Sequence, residues 1–94
     1  MPTRWQLIRA DALRVREWDD AGVIYDAASG NTHLIDALGL ELVDLLRQQP
    51  WDLAGLVAEL SDSLPEDLDA DAVPRLLNAK LEQLARLDLV AAAA

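Results

Sequence analysis

Two tight-turn signals close together near the start of the chain leave it little choice of fold. Asp19-Asp20-Ala21-Gly22 and Asp26-Ala27-Ala28-Ser29-Gly30-Asn31 combine aspartates, which accept tight backbone conformations, with glycines free to take positive φ. Three short runs lie around them. Ala12 to Trp18 alternates, setting Leu13, Val15 and then Trp18 among arginines, the pattern of a half-buried strand. Val23-Ile24-Tyr25 is β-branched and aromatic, with strong strand preference. Thr32-His33-Leu34-Ile35 returns as a third strand after a turn in which Gly30 and Asn31 can adopt left-handed geometry. The product is an antiparallel meander, with Trp5 to Ile8 as a short extended piece ahead of it.

From Asp36 onward the pattern is helical. The Asp36 carboxylate is placed to accept the free amide hydrogens of a first turn. Leu38, Leu42, Leu45 and Leu46 share one face, and Pro50 stops the run. Asp52 is placed to cap a second helix with Leu53, Leu56, Val57 and Leu60 as its apolar face. Ser61 to Asp71, with Pro65 and five acids, reads as a solvated loop. Asp71 then caps a third helix, with Pro74 in the first turn, where a missing N–H costs nothing. Its stripe is Val73, Leu77, Leu81 and Leu84, flanked by Leu76 and Leu87. Asp88 ends it, and Leu89-Val90 folds back onto the core.

The expected architecture is α+β: a three-stranded antiparallel meander followed by three helices, winged-helix-like, with the helical stripes covering one face of the sheet. Residues 1–94 make one domain, with 1–10 as an N-terminal extension and 91–94 as a frayed tail.

Charge narrows the partners. The net charge is −9, a field that disfavours phosphate backbones and anionic membranes. It is unevenly placed: residues 1–16 hold four arginines against Asp11, and residues 17–74 hold fourteen acids against Arg47. No stretch approaches the ~20 apolar residues of a membrane span. The absence of cysteine removes disulfides and thiolate metal sites and fits a reducing cytoplasm.

Convergent catalytic groups are scarce. His33 is the only histidine, and Ser29, Ser61 and Ser63 have no base near them in sequence. One histidine cannot supply the ligand set of a zinc site. Gly22, Gly30, Gly39 and Gly55 are scattered rather than arranged to cradle a phosphate. The acids between Asp62 and Asp71 lack calcium-loop spacing. The residues give no support to an enzyme or to a cofactor.

The run Trp18-Asp19-Asp20-Ala21-Gly22-Val23-Ile24-Tyr25-Asp26, followed by Ser29-Gly30-Asn31-Thr32-His33-Leu34-Ile35-Asp36, resembles the PqqD family. Within it, the run resembles the PqqD-family peptide chaperone of the HPr-rel-A system. The ending Leu84-Ala85-Arg86-Leu87-Asp88-Leu89-Val90 matches that family's close, so the resemblance covers about Trp5 to Val90. Asp88 stands where such proteins commonly carry a glycine, and aspartate tolerates left-handed geometry better than most residues.

The resemblance implies a non-catalytic adaptor, a recognition element for the leader of a ribosomally made peptide that a separate enzyme modifies. The leader would lie as an extra strand along the third strand, in the groove beside the last helix. The HPr-rel-A branch is associated with a kinase-like protein related to HPr kinase and with a nucleotidyltransferase-like protein.

The residues themselves are compatible with that mode. In a simple meander the third strand, Asn31, Thr32, His33, Leu34 and Ile35, has one neighbour and presents unpaired backbone groups, a template for strand addition. Alternation separates His33 and Ile35 from Thr32 and Leu34. With His33 and Ile35 facing the helices, Leu34 and Ile24 are expected as an apolar pair on the outer face. On the last helix, Arg75 and Lys80 are candidate handles for an acidic peptide, with Leu76 and Leu84 lining the groove. His33 has three readings: a core-edge histidine, a peptide contact, or a catalytic or metal-binding group. Two other readings stay open: a winged-helix nucleic-acid binder and a dimerisation module that pairs through the same edge or face.

Overall fold

A computed structural model describes residues 3–64, 67–69 and 71–93. The meander is present as β2 (Leu13–Glu17), β3 (Ala21–Asp26) and β4 (Asn31–Asp36), paired in the order β2-β3-β4. The three helices follow as α1 (Ala37–Gln48), α2 (Leu53–Leu60) and α3 (Ala72–Arg86). The class is α+β.

A second three-stranded sheet goes beyond the sequence reading. β1 (Arg4–Leu7) lies between β5 (Trp51–Asp52) and β6 (Val90–Ala93), antiparallel to both. Residues 1–10 are therefore not merely an extension, since four of them form the central strand of a sheet. Ala91, Ala92 and Ala93, taken as frayed, pair with Gln6, Trp5 and Arg4. Alanine has little strand preference of its own; the ladder and the burial of Leu89 and Val90 hold this strand in place.

Backbone hydrogen bonds at the turns fix the phase of the meander. Trp18 N–H donates to Ala21 O at 2.8 Å, and Ala27 N–H donates to Ala12 O at 2.9 Å. Bonding direction alternates along an antiparallel strand. Ala21, Val23 and Tyr25 therefore turn their backbone groups toward β2, and Gly22, Ile24 and Asp26 turn theirs toward β4. The hairpin loop is Asp19-Asp20, and Gly22 lies inside β3 rather than in the turn. Its lack of a side chain serves close packing: a Cβ there would stand 2.6 Å from Arg16 O and 2.7 Å from Leu40 Cδ1.

The core gathers the inner face of the meander (Leu13, Ile24, Ile35) with Leu42, Val43 and Leu46 of α1, Leu56 and Leu60 of α2, and Leu77, Leu81 and Leu84 of α3. Ile24 belongs here. It pairs with His33, whereas Leu34 pairs with Val23, so Ile24 and Leu34 lie on opposite faces and the expected outer pair does not exist. Strand alternation alone could not relate the two strands without their register.

Caps agree with the sequence at two helices of three. Asp36 accepts from Gly39 N–H at 2.9 Å and Asp52 from Gly55 N–H at 2.8 Å. Asp71 makes no such bond and is already helical in its backbone. Pro74 occupies the third helical position, where a capping side chain would look for an N–H, and has none to give. Asp69 Oδ1 instead accepts from Asp71 N–H at 3.1 Å. The expected loop from Ser61 to Asp71 begins with a 3-10 turn at Ser61–Ser63; Pro65, Glu66 and Ala70 lie outside the described residues.

α3 closes with a Schellman motif: Leu89 N–H reaches Leu84 O and Asp88 N–H reaches Ala85 O, each at 3.0 Å. Asp88 takes φ 60°, the left-handed conformation usually given to glycine. Its carbonyl also receives Arg9 Nη2 at 3.2 Å. Arg9 places Nε and Nη2 on Asp26 Oδ2 at 3.1 and 2.7 Å, while Asp26 Oδ1 accepts from Ala28 N–H at 3.0 Å. This clasp joins the segment after β1, the β3–β4 turn and the end of α3.

The Arg9 guanidinium, aided by those turn amides against the cost of desolvation, lowers the Asp26 pKa from 3.8 to about 2. The folded state thus holds this proton more weakly than the unfolded chain. The stability it contributes is full above the ordinary carboxylate value and is lost as pH falls from about 4 to about 2. In urea titrations, the wild type should exceed Arg9→Met at pH 7 and the gap should close across that window. A gap unchanged at pH 2 would show that the ion pair is not its source.

Candidate functional site

Because Gly22, Ile24 and Asp26 bond toward β4, their partners Ile35, His33 and Asn31 are the bonded residues of that strand. Thr32 and Leu34 turn their N–H and C=O groups away from β3. Among the described residues no strand lies beyond β4, so these two residues offer up to four backbone bonds to a visiting chain. The side chains of the same two residues point to the outer face, and Leu34 is 76% exposed.

Beside this edge lies an open cleft of about 280 Å³ between the C-terminal half of β4 and α3. Leu34, Ile35, Leu84 and the backbone at Gly39 form its apolar wall, and Lys80 and Gln83 its polar rim. Lys80 forms an ion pair and hydrogen bond with Asp36, tying the end of β4 to α3. Burial pushes the Asp36 carboxyl pKa up, but Lys80 and the Gly39 amide outweigh it, so the net displacement is downward. Lys80 is thus already engaged, and an acidic ligand would have to share it with Asp36.

Of the residues singled out from the sequence, the structure brings Leu34, Ile35, Lys80 and Leu84 together around this cleft. Asn31, Thr32 and His33 continue the same strand without lining it. Leu84 is 2% exposed and belongs to the core as well. Leu76 is half-buried one helical turn before Lys80, on the same side of α3. Arg75 is not a second handle for this site. It lies with Leu53, Pro74, Asn78 and Glu82 in a separate depression between α2 and α3, because five residues along a helix turn a side chain by about 140°.

Four lining residues were not anticipated as part of the site: Ala21, Gly39, Gln83 and Asp36, the last expected only as a helix cap. Gln83 follows Lys80 at helical spacing and was within reach of pattern reasoning. Gly39 is chosen for contact, since a Cβ there would stand 2.5 Å from Ile35 Cγ2, and no sequence pattern shows that.

Among the described residues no group of His, Asp and Glu side chains is arranged to hold a metal ion, and no helix is long and apolar enough to cross a membrane.

No protein-family model and no curated protein matches the sequence. Among solved structures it is similar to TbiB1 in complex with the TbiA(beta) leader peptide, at a TM-score of 0.72 and 24% identity, covering 95% of this chain and 98% of TbiB1. The two chains share one fold from end to end.

Proposed function

We propose that this chain is a non-catalytic cytoplasmic adaptor that captures the leader of a ribosomally made precursor peptide and presents it to a separate modifying enzyme. The leader adds as a strand on the free edge of β4, and one apolar side chain settles in the cleft against α3. The observation that carries this reading is the unpaired backbone of Thr32 and Leu34 beside that cleft. The likeness to TbiB1, solved with a leader peptide bound, supports it. The resemblance to the HPr-rel-A branch suggests a kinase related to HPr kinase as the receiving enzyme.

Up to four added hydrogen bonds at about 0.5–1.5 kcal/mol each and one buried aliphatic side chain at about 1.5–3 kcal/mol are largely offset by the cost of association. Roughly micromolar affinity therefore needs further side-chain contacts along the peptide. NMR titration with precursor peptides encoded beside this gene should shift the amides of Asn31 to Ile35 and of Lys80 to Leu84, with no turnover of the peptide. A titration that left both segments unshifted would remove the proposal's binding mode.

A further inference from the structure

Among the described residues the outer face of the meander is left bare. Cross-strand pairing sets Arg14 beside Tyr25 and Thr32, and Arg16 beside Val23 and Leu34, with Trp18 at the hairpin end next to Ala21. Trp18 is 58%, Tyr25 42% and Leu34 76% exposed. Single exposed apolar residues are ordinary, but a contiguous group on one sheet face marks an interaction surface. The face holds a shallow depression of about 450 Å³ among Arg14, Arg16, Trp18, Val23 and Tyr25.

Its charges are arranged in a particular way. Arg14 donates only to backbone oxygens of Asp11 and Leu13, and neither Arg14 nor Arg16 meets a carboxylate among the described residues. Asp19 and Asp20 form the loop at the other end of the same hairpin. On the outer face the order along this hairpin arm is Arg14, Arg16 and Trp18, with Glu17 on the opposite face, and the acids Asp19 and Asp20 follow in the loop. A half-turn about an axis lying in the plane of contact, perpendicular to the strands, brings a second copy over this face with its two ends exchanged. Arg14 and Arg16 of one copy then meet Asp19 and Asp20 of the other, reciprocally, as a two-fold contact requires, and the apolar residues meet between them.

We propose that this face takes a second copy of the same chain, packing two three-stranded sheets face to face at the usual spacing of about 10 Å. An acidic protein of net charge −9 repels its copies generally, and this is the sheet face where local charge favours contact. The free edge of β4 points sideways from such a pair, so the contact does not require the peptide and does not exclude it. A contact made by one face of a three-stranded sheet belongs with weak, reversible interfaces, and the dimer is expected to form with a dissociation constant of roughly 10–100 µM.

Sedimentation velocity on the full chain from about 5 to 500 µM tests this without any peptide. The mass should rise from 10.3 kDa toward twice that value. Trp18→Asp and Arg16→Glu, each checked for native circular dichroism, should each raise the dissociation constant at least tenfold. The double variant Arg16→Glu/Asp20→Arg, which keeps the charges reciprocal, should recover most of it. A wild type that stays monomeric at 500 µM overturns the proposal. So does a dimer indifferent to both single substitutions, because its contact lies on another face.

Discussion

A Leu34→Pro chain is expected to fold normally and to lose at least about tenfold of its affinity for an extended peptide. The Leu34 N–H points away from β3, so removing it breaks no ladder bond, and proline is tolerated on the outward positions of edge strands. The visiting strand loses a bond worth about 0.5–1.5 kcal/mol and meets the pyrrolidine ring where its backbone should lie. His33→Pro is the matched control one residue away. His33 is bonded to Ile24 across the ladder, so proline there breaks the sheet and should unfold or strongly destabilise the chain. Circular dichroism and calorimetry on the two variants distinguish loss of binding from loss of fold. Equal affinity of Leu34→Pro and wild type would mean that the peptide does not use this edge.

The second large effect concerns the two faces of the same sheet. Ile24→Ala should cost about 2–5 kcal/mol of stability, because a fully buried side chain is removed and the cavity cannot collapse completely. Leu34→Ala should cost no more than about 0.5 kcal/mol. For a domain of this size, with a total stability of roughly 5–14 kcal/mol, the first change is severe and the second hardly measurable. Urea unfolding of both variants checks this, and comparable losses would contradict the face assignment.

Those two residues also show what the sequence could and could not reveal. Turn chemistry at Asp19-Asp20 and Gly30, alternation in the strands and the caps at Asp36 and Asp52 were legible because each is a local property. The end of α3 at Asp88 was legible too, but its left-handed backbone came from the family resemblance, in which a glycine is usual there. The placement of Ile24 was not legible, because it depends on which residue of β4 lies opposite. A shift of one residue in register moves every side chain to the other face.

The second sheet was illegible for a related reason. Trp51-Asp52 is too short to signal a strand, and alanines signal none; they become strands by finding β1 in space. The candidate site was half visible. The free edge followed from the meander, and Lys80 and Leu84 from the groove that the family resemblance implied. That Arg75 faces α2 rather than β4 required the rotation of α3, and that Lys80 is held by Asp36 required coordinates.

Hydrogen exchange at two backbone amides tests the central claim most directly. In the free protein Thr32 and Leu34 should exchange fast while His33 and Ile35, bonded to β3, are protected. Saturation with a binding leader peptide should slow exchange at Thr32 and Leu34 at least tenfold. A peptide that binds tightly and leaves both amides as fast as before would contradict strand addition at β4.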